Sequence, residues 1–208
     1  TYPTATNKGE TLAPYQTKQY ELGTKYQVGF WLNTLALYQI EKPEAYLDST
    51  NLEVKDDAET RSRGIEFSTA GQLTEDLSLM ANLAYIDAEY VKSGTASQVG
   101  NTVIGTPDFT AGLGLDYKIP VVDGMSVNAR ASYVSEQYLN TDNSLELPDY
   151  TILDLGAKYA TKIGGVNTTF RANVNNLTDE KYWSGVFGSN YAILGAGRTY
   201  KLGVTFDF

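Results

Sequence analysis

Residues 198–208 read Arg-Thr-Tyr-Lys-Leu-Gly-Val-Thr-Phe-Asp-Phe, and their character alternates without a break: Tyr200, Leu202, Val204, Phe206 and Phe208 take turns with Lys201, Gly203, Thr205 and Asp207. A period of two gives a strand one apolar face and one polar or small face. The same alternation recurs along the whole chain and predicts nine strands, at 18–28, 30–42, 60–73, 77–90, 109–119, 125–138, 150–161, 166–176 and 198–208. Their connections are by turns short (Gly29, 74–76, 120–124, 162–165) and long (43–59, 91–107, 139–148, 177–197), and residues 1–14 read as a further loop. Most strands reach the roughly 9–11 residues that a tilted membrane strand needs, whereas about 5–6 is usual in soluble sheets. Tight turns on one rim and long loops on the other are the layout of an all-β, antiparallel, up-and-down transmembrane β-barrel.

The two faces carry different chemistry. Tyr26, Tyr117 and Tyr159 fall on apolar faces a few residues before short turns and are expected to form an aromatic girdle at that rim. Lys25, Glu66, Asp116, Arg130, Lys158 and Arg171 fall on polar faces, where a wet lumen accommodates charge that lipid would penalise. The segment 30–42 is the exception: Leu32, Ala36, Tyr38 and Ile40 stand against Trp31, Leu35 and Leu37, and the pattern does not say which set faces outward. A soluble sandwich would instead have to pack its apolar faces on one another.

Composition narrows the function. Sixteen tyrosines among 208 residues suit a membrane interface, where one end of the ring is apolar and the other wet. There is no cysteine, hence no disulfide framework and no thiolate chemistry, and no histidine, the commonest general base and metal ligand. A net charge of −9 argues against nucleic acid as a partner. No phosphate-cradling loop or nucleophile elbow is present, so no catalytic residues are assigned and the protein is not expected to be an enzyme. The chain begins on Thr1 without a basic n-region or apolar h-region. Thr1 is therefore expected to be an internal position of a longer precursor, cut within an extracellular loop. Nine strands left as an open sheet would expose two long edges.

Four stretches carry a family resemblance. Val174-Asn-Asn-Leu-Thr-Asp-Glu-Lys-Tyr182, followed by Gly195-Ala-Gly-Arg198 and the terminal Phe208, resembles the C-terminal end of TonB-dependent outer-membrane receptors. The stretch Ala13-Pro-Tyr-Gln-Thr-Lys-Gln-Tyr-Glu-Leu-Gly23 resembles a strand of that family. So do Arg61-Ser-Arg-Gly-Ile-Glu66 and Leu147-Pro-Asp-Tyr-Thr-Ile-Leu-Asp154. The resemblance spans essentially the whole chain and leans towards the ferric-siderophore branch, of ferrichrome or hydroxamate type. It implies a 22-stranded barrel closed by an N-terminal plug, of which these would be the last nine strands. It also implies location in the outer membrane of a Gram-negative bacterium and import of a ferric siderophore as transported ligand, with no covalent cofactor. TonB would act through an N-terminal region outside this chain; the barrel-assembly machinery and outer-membrane lipid or lipopolysaccharide are further implied partners. Another cargo (haem, cobalamin or a glycan) and a non-transporting structural or adhesin barrel stay open.

Candidate ligand residues cluster in the last long connection. Tyr182, Trp183, Phe187 and Tyr191, with Tyr138, offer aromatic faces to an apolar iron chelate; for Tyr182 and Trp183, close to the strand end, packing at the outer interface is the favoured reading. Asn175 and Asn176 are expected to shape the strand-to-loop bend. Arg61 and Arg63 are expected to pair with Glu66 or other carboxylates rather than with an anionic chelate. The acidic stretch 48–59 matches no EF-hand spacing and reads as a solvated surface loop, bridged to lipopolysaccharide by cations. Tyr200, Phe206 and Phe208 resemble the membrane-insertion signal read by the barrel-assembly machinery.

Overall fold

The computed structural model describes residues 4–11, 14–48 and 50–208; Ala13, at the head of one motif, and parts of the 1–14 and 43–59 stretches lie outside them. In chain order the strands are β1 (Lys18–Val28), β2 (Trp31–Asp48), β3 (Glu53–Gln72), β4 (Leu77–Lys92), β5 (Phe109–Lys118), β6 (Met125–Val134), β7 (Gln137–Tyr138), β8 (Glu146–Leu147), β9 (Tyr150–Ile163), β10 (Val166–Asn175), β11 (Trp183–Val186), β12 (Ala192–Leu194) and β13 (Thr199–Asp207). Nine of them form one antiparallel sheet in the order β1-β2-β3-β4-β5-β6-β9-β10-β13, each strand beside its predecessor. The four extra short strands make two small hairpins, β7–β8 and β11–β12, within the long connections. Among the described residues β1 and β13 have one neighbour each in the main sheet.

Register fixes which face each side chain shares, because directly opposed residues in an antiparallel pair point the same way. One row runs Leu22–Leu37–Ile65–Tyr85–Phe109 across five strands. Another runs Leu79–Leu115–Ala129–Leu155–Val174–Tyr200 across six. This apolar face is exposed over most of its area, and few side chains are fully buried, as befits a sheet whose apolar surface meets lipid instead of a second layer. The pairing also settles β2: Trp31, Leu35 and Leu37 share the apolar face, and Leu32, Ala36, Tyr38 and Ile40 share the other.

Tyr26, Tyr117 and Tyr159 lie on the apolar face close to short turns, as expected. Towards the opposite rim stand Tyr20, Tyr85, Phe109 and Tyr133, the last two with ring centroids 6.1 Å apart. Phe109 and Tyr117 bound the band on β5, about 27 Å apart along the strand at ~3.4 Å per residue. With the tilt of barrel strands this approaches the ~25 Å apolar belt of outer-membrane barrels.

Two expectations are corrected. The stretch 43–59 is not a loop: β2 and β3 stay paired to Asp48↔Glu53, with one irregularity between Glu44 and Tyr46. The hairpin projects about 20 Å past the apolar band at ~3.3 Å per residue. Its acidic composition reads as loop, but neighbours neutralise it: Lys55 pairs with Asp48, Lys92 with Glu59 (2.8 Å) and Lys42 with Glu44 (3.3 Å). The Lys55 ammonium, bonded to the Asp48 carboxylate, holds that carboxyl below its usual range. Asn7 and Val54 exchange two hydrogen bonds of 3.0 Å, tying the N-terminal segment to the hairpin end. The second correction concerns 125–138, which is not one strand. Ser135 ends β6 by donating its N–H to Phe109 O (2.9 Å) while its Oγ accepts the Phe109 N–H (3.1 Å). Tyr138 therefore belongs to the β7–β8 hairpin, off the main sheet.

Candidate ligand-binding rim

All long connections lie at one rim, and side-chain-to-backbone hydrogen bonds stitch them together. The connection 177–198 is closed at its neck by the residues of the motif that begins at Val174. Asn176, only 3% exposed and at φ 53°, leaves the β10 conformation for the left-handed region that Asn tolerates. Its Nδ2 donates to Glu180 O (2.9 Å) and Ala196 O (3.1 Å), and its Oδ1 accepts the Glu180 N–H (2.8 Å). Asp179 Oδ1 accepts the Arg198 N–H (2.9 Å), and the Gly195 N–H donates to Tyr182 O (2.8 Å). The Arg198 N–H, with the Lys181 ammonium beside it, keeps the Asp179 carboxyl below the usual carboxylate range. The Tyr182 ring lies so close over Gly195 that a Cβ there would stand only 2.4–2.5 Å from its carbons, and the ring also packs on Tyr150, centroids 4.4 Å apart. Asn176 thus shapes the bend, as expected.

Beyond the neck, β11 and β12 carry the hairpin to its tip. Trp183 opens β11 opposite Leu194 and is 40% exposed. At the tip the Phe187 N–H donates to Tyr191 O (2.9 Å) and the Tyr191 N–H to Gly188 O (3.0 Å), leaving the Phe187 and Tyr191 side chains 82% and 70% exposed. Gly188, at φ 123°, makes this turn possible. Tyr182 and Trp183 stand at the base, Phe187 and Tyr191 at the tip. The hairpin end touches its neighbours: the Asn190 N–H donates to Leu139 O (3.0 Å), next to Tyr138, whose carbonyl accepts the Gly105 N–H (2.9 Å). The Tyr138 hydroxyl bonds the Glu146 carboxylate, which raises its pKa. Tyr138 and the Phe187–Tyr191 tip are therefore brought to adjoining loops.

The asparagines of the neighbouring loops escaped the sequence reading. Asn143, at φ 53°, accepts the Thr102 N–H (2.7 Å) and donates to Thr102 O (3.0 Å); Asn101 Nδ2 donates to Thr141 O (2.9 Å). The run Asn-Thr-Asp-Asn-Ser at 140–144 was the available signal, since Asn and Asp replace backbone partners in turns. Arg61 pairs with Glu89 across β3–β4, and Arg63 Nε donates to Gln39 Oε1 (2.7 Å), so neither is held by Glu66. Among the described residues no cluster of three or more acidic groups is arranged to hold a metal ion. Tyr200, Phe206 and Phe208 are exposed, the two phenylalanine rings 6.5 Å apart.

Residues 1–177 match the family model described as "TonB dependent receptor-like, beta-barrel". Over 203 residues the chain is 32% identical to the ferrichrome receptor FcuA of Yersinia enterocolitica, covering 97% of this chain and 27% of that protein. It is 29% identical to the ferrioxamine B receptor of Salmonella typhimurium, over 98% of this chain and 30% of the relative. The crystal structure of BauA, the ferric preacinetobactin receptor from Acinetobacter baumannii, superposes with a TM-score of 0.87 at 39% identity, over 99% of this chain and 31% of that one. The chain thus spans about three tenths of the length of the relatives it matches. Fold, motifs and matches agree that the chain belongs to the TonB-dependent receptor β-barrel family.

Proposed function

We propose that this chain is the C-terminal part of the barrel of an outer-membrane receptor, in a Gram-negative bacterium, that binds a ferric siderophore and imports it with energy transmitted through TonB. The connections 43–59, 91–107, 139–148 and 177–197 face the outside, and the function is transport without a catalytic step. The observation that carries this is the match along nearly the whole chain to receptors named for ferrichrome and ferrioxamine B. Supporting it, two large aromatic side chains stand exposed at the tip of a hairpin that is otherwise tied down. Tyr138 and Trp183 extend that surface, and Tyr182 holds it up. Contact with an apolar chelate suits Phe187 and Tyr191, because aromatic rings give area at low entropy cost. Tyr200, Phe206 and Phe208 present the insertion signal to the barrel-assembly machinery.

The 39% identity to BauA favours a second cargo, ferric preacinetobactin. Uptake of iron-55 carried by ferrichrome, ferrioxamine B or preacinetobactin, in a deletion strain complemented with the full-length gene, separates these. Restored uptake of one of them is expected. Unchanged uptake of every ferric siderophore, with loss of haem or cobalamin uptake, would overturn the reading.

A further inference from the structure

The connections that meet around Tyr138 and the Phe187–Tyr191 tip are one-sided in charge. From 93 to 117, from 131 to 157 and from 182 to 197 there is no lysine or arginine. Their loops carry Asp108, Glu136, Asp142, Glu146 and Asp149, and among the described residues none of these five enters an ion pair. Hydrogen bonds hold the connections together: Gln98 Nε2 donates to Thr141 Oγ1 (2.9 Å), the Gly105 N–H to Tyr138 O (2.9 Å) and the Asn190 N–H to Leu139 O (3.0 Å). Gly105 also lies against Val186, next to Phe187, so closely that a Cβ there would stand 3.0 Å from the valine Cβ.

The backbone gathers three of the carboxylates around Tyr138. The bond from the Ser135 N–H to Phe109 O sets Asp108 and Glu136 on neighbouring strand ends, and the β7–β8 pairing sets Glu146 opposite Tyr138. The Glu146 carboxylate first, then partial burial, Asp108 and Glu136, hold the Tyr138 hydroxyl above its usual pKa. The cations that flank these connections are occupied. Lys92 pairs with Glu59 (2.8 Å) and Lys181 with Asp179 (3.1 Å), a carboxylate that Arg198 also adjoins. Arg63, whose Nε donates to Gln39, stands opposite Asp87 across β3–β4 and offsets that carboxylate.

We propose that this rim selects its cargo by charge: the chelate received by Tyr138, Phe187 and Tyr191 is cationic, bearing a pendant ammonium or a comparable positive group, and an anionic chelate is turned away. The inference rests on the siderophore-receptor reading above and narrows it to one charge class. The exposed rings of Phe187 and Tyr191 offer apolar area to a chelate of any charge, so discrimination falls to the ionised groups, which here are carboxylates. An ammonium beside Tyr138 meets a ring face and the Glu146 carboxylate together. A negative group in the same place is brought against like charges with no counter-ion from the protein. The negative field also concentrates a cationic ligand at the rim before contact.

The test uses the full-length receptor, purified from outer membranes in detergent, and one iron core carried at three charges. These are ferrioxamine B with its free ammonium, its neutral N-acetyl derivative, and its N-succinyl derivative, which ends in a carboxylate. Binding is read by quenching of tryptophan fluorescence at low ionic strength. Affinity is expected to fall about ten-fold from the ammonium to the acetyl form and about ten-fold again to the succinyl form. In the E136Q/E146Q double variant the ammonium-to-succinyl ratio should shrink to about ten-fold or less, with the barrel's resistance to unheated detergent kept. Equal affinity for the three forms, or tightest binding of the succinyl form, overturns the inference and leaves the receptor reading intact. So does failure to bind ferrioxamine B together with uptake of a neutral or anionic ferric chelate such as ferrichrome or ferric citrate. No uptake of any ferric chelate overturns the receptor reading itself, and this inference with it.

Discussion

The β5–β6 region of the sheet and the 177–198 hairpin show two ways of holding a chain in place. In β5 and β6 the backbone pairs with a neighbouring strand on each side, and side chains only have to match the solvent on their side, lipid or water. In the hairpin connection the backbone ladder is only a few residues long, and single side chains finish the work: Asn176, Asp179 and Tyr182 close a neck of some twenty residues. The first kind of order is distributed and tolerates conservative changes. The second is concentrated in a few polar atoms, so it fails at points. The sheet and the hairpin rim can therefore be broken separately.

The largest effect should come from putting a charge on the lipid face. L113R, in the middle of β5 and opposite Ala81 and Ala131, is expected to cost about 2–4 kcal/mol. Bilayer refolding titrations and the level of detergent-resistant receptor should both report it, whereas arginine at Ala84, on the inner face between Glu66 and Thr110, should leave both nearly unchanged. N176A comes next. It removes three hydrogen bonds and places a Cβ residue without a compensating side chain at positive φ, a loss of about 2–3 kcal/mol. That loss is confined to the hairpin: protease nicking within 180–196 should rise more than ten-fold with the barrel still assembled. A collapse of the barrel itself would erase the contrast between the two regions.

Asp179 gives a smaller, pH-dependent effect. Its carboxyl is depressed by the Arg198 N–H and Lys181, so the folded neck is favoured above the unfolded carboxyl pKa, and that contribution is lost as pH falls through the lower, folded value. A spin label at residue 189 should gain mobility below about pH 4, and D179N should be mobile at neutral pH and flat across the same range. The smallest effect on stability is expected at the tip. F187A removes an exposed ring and should shift stability by less than about 0.5 kcal/mol, yet weaken siderophore binding roughly ten-fold, about 1.4 kcal/mol. Equal affinity would remove Phe187 from the ligand surface.

Much of the wall was legible because alternation is local: Tyr200 to Phe208 announce their face within one strand, and β1, β4, β5, β9 and β10 lie within a few residues of where the pattern puts them. The rim was less so. Acidic residues at 48–59 look like loop, and only Lys92 on the next strand and Asn7 far upstream show why they stay paired. Tyr138 looked like strand because nothing local reveals that Ser135 caps the ladder against Phe109. The candidate aromatics were found by type, but their division into base and tip came from the fold.

The sequence by itself determined the period, the nine strands of the main sheet, the apolar band and the motif of the neck, since each depends on neighbours a few positions away. Only the tertiary structure decided the outward face of β2 and the partners of Arg61 and Arg63. These depend on register between strands, where a one-residue slip moves every side chain to the other face.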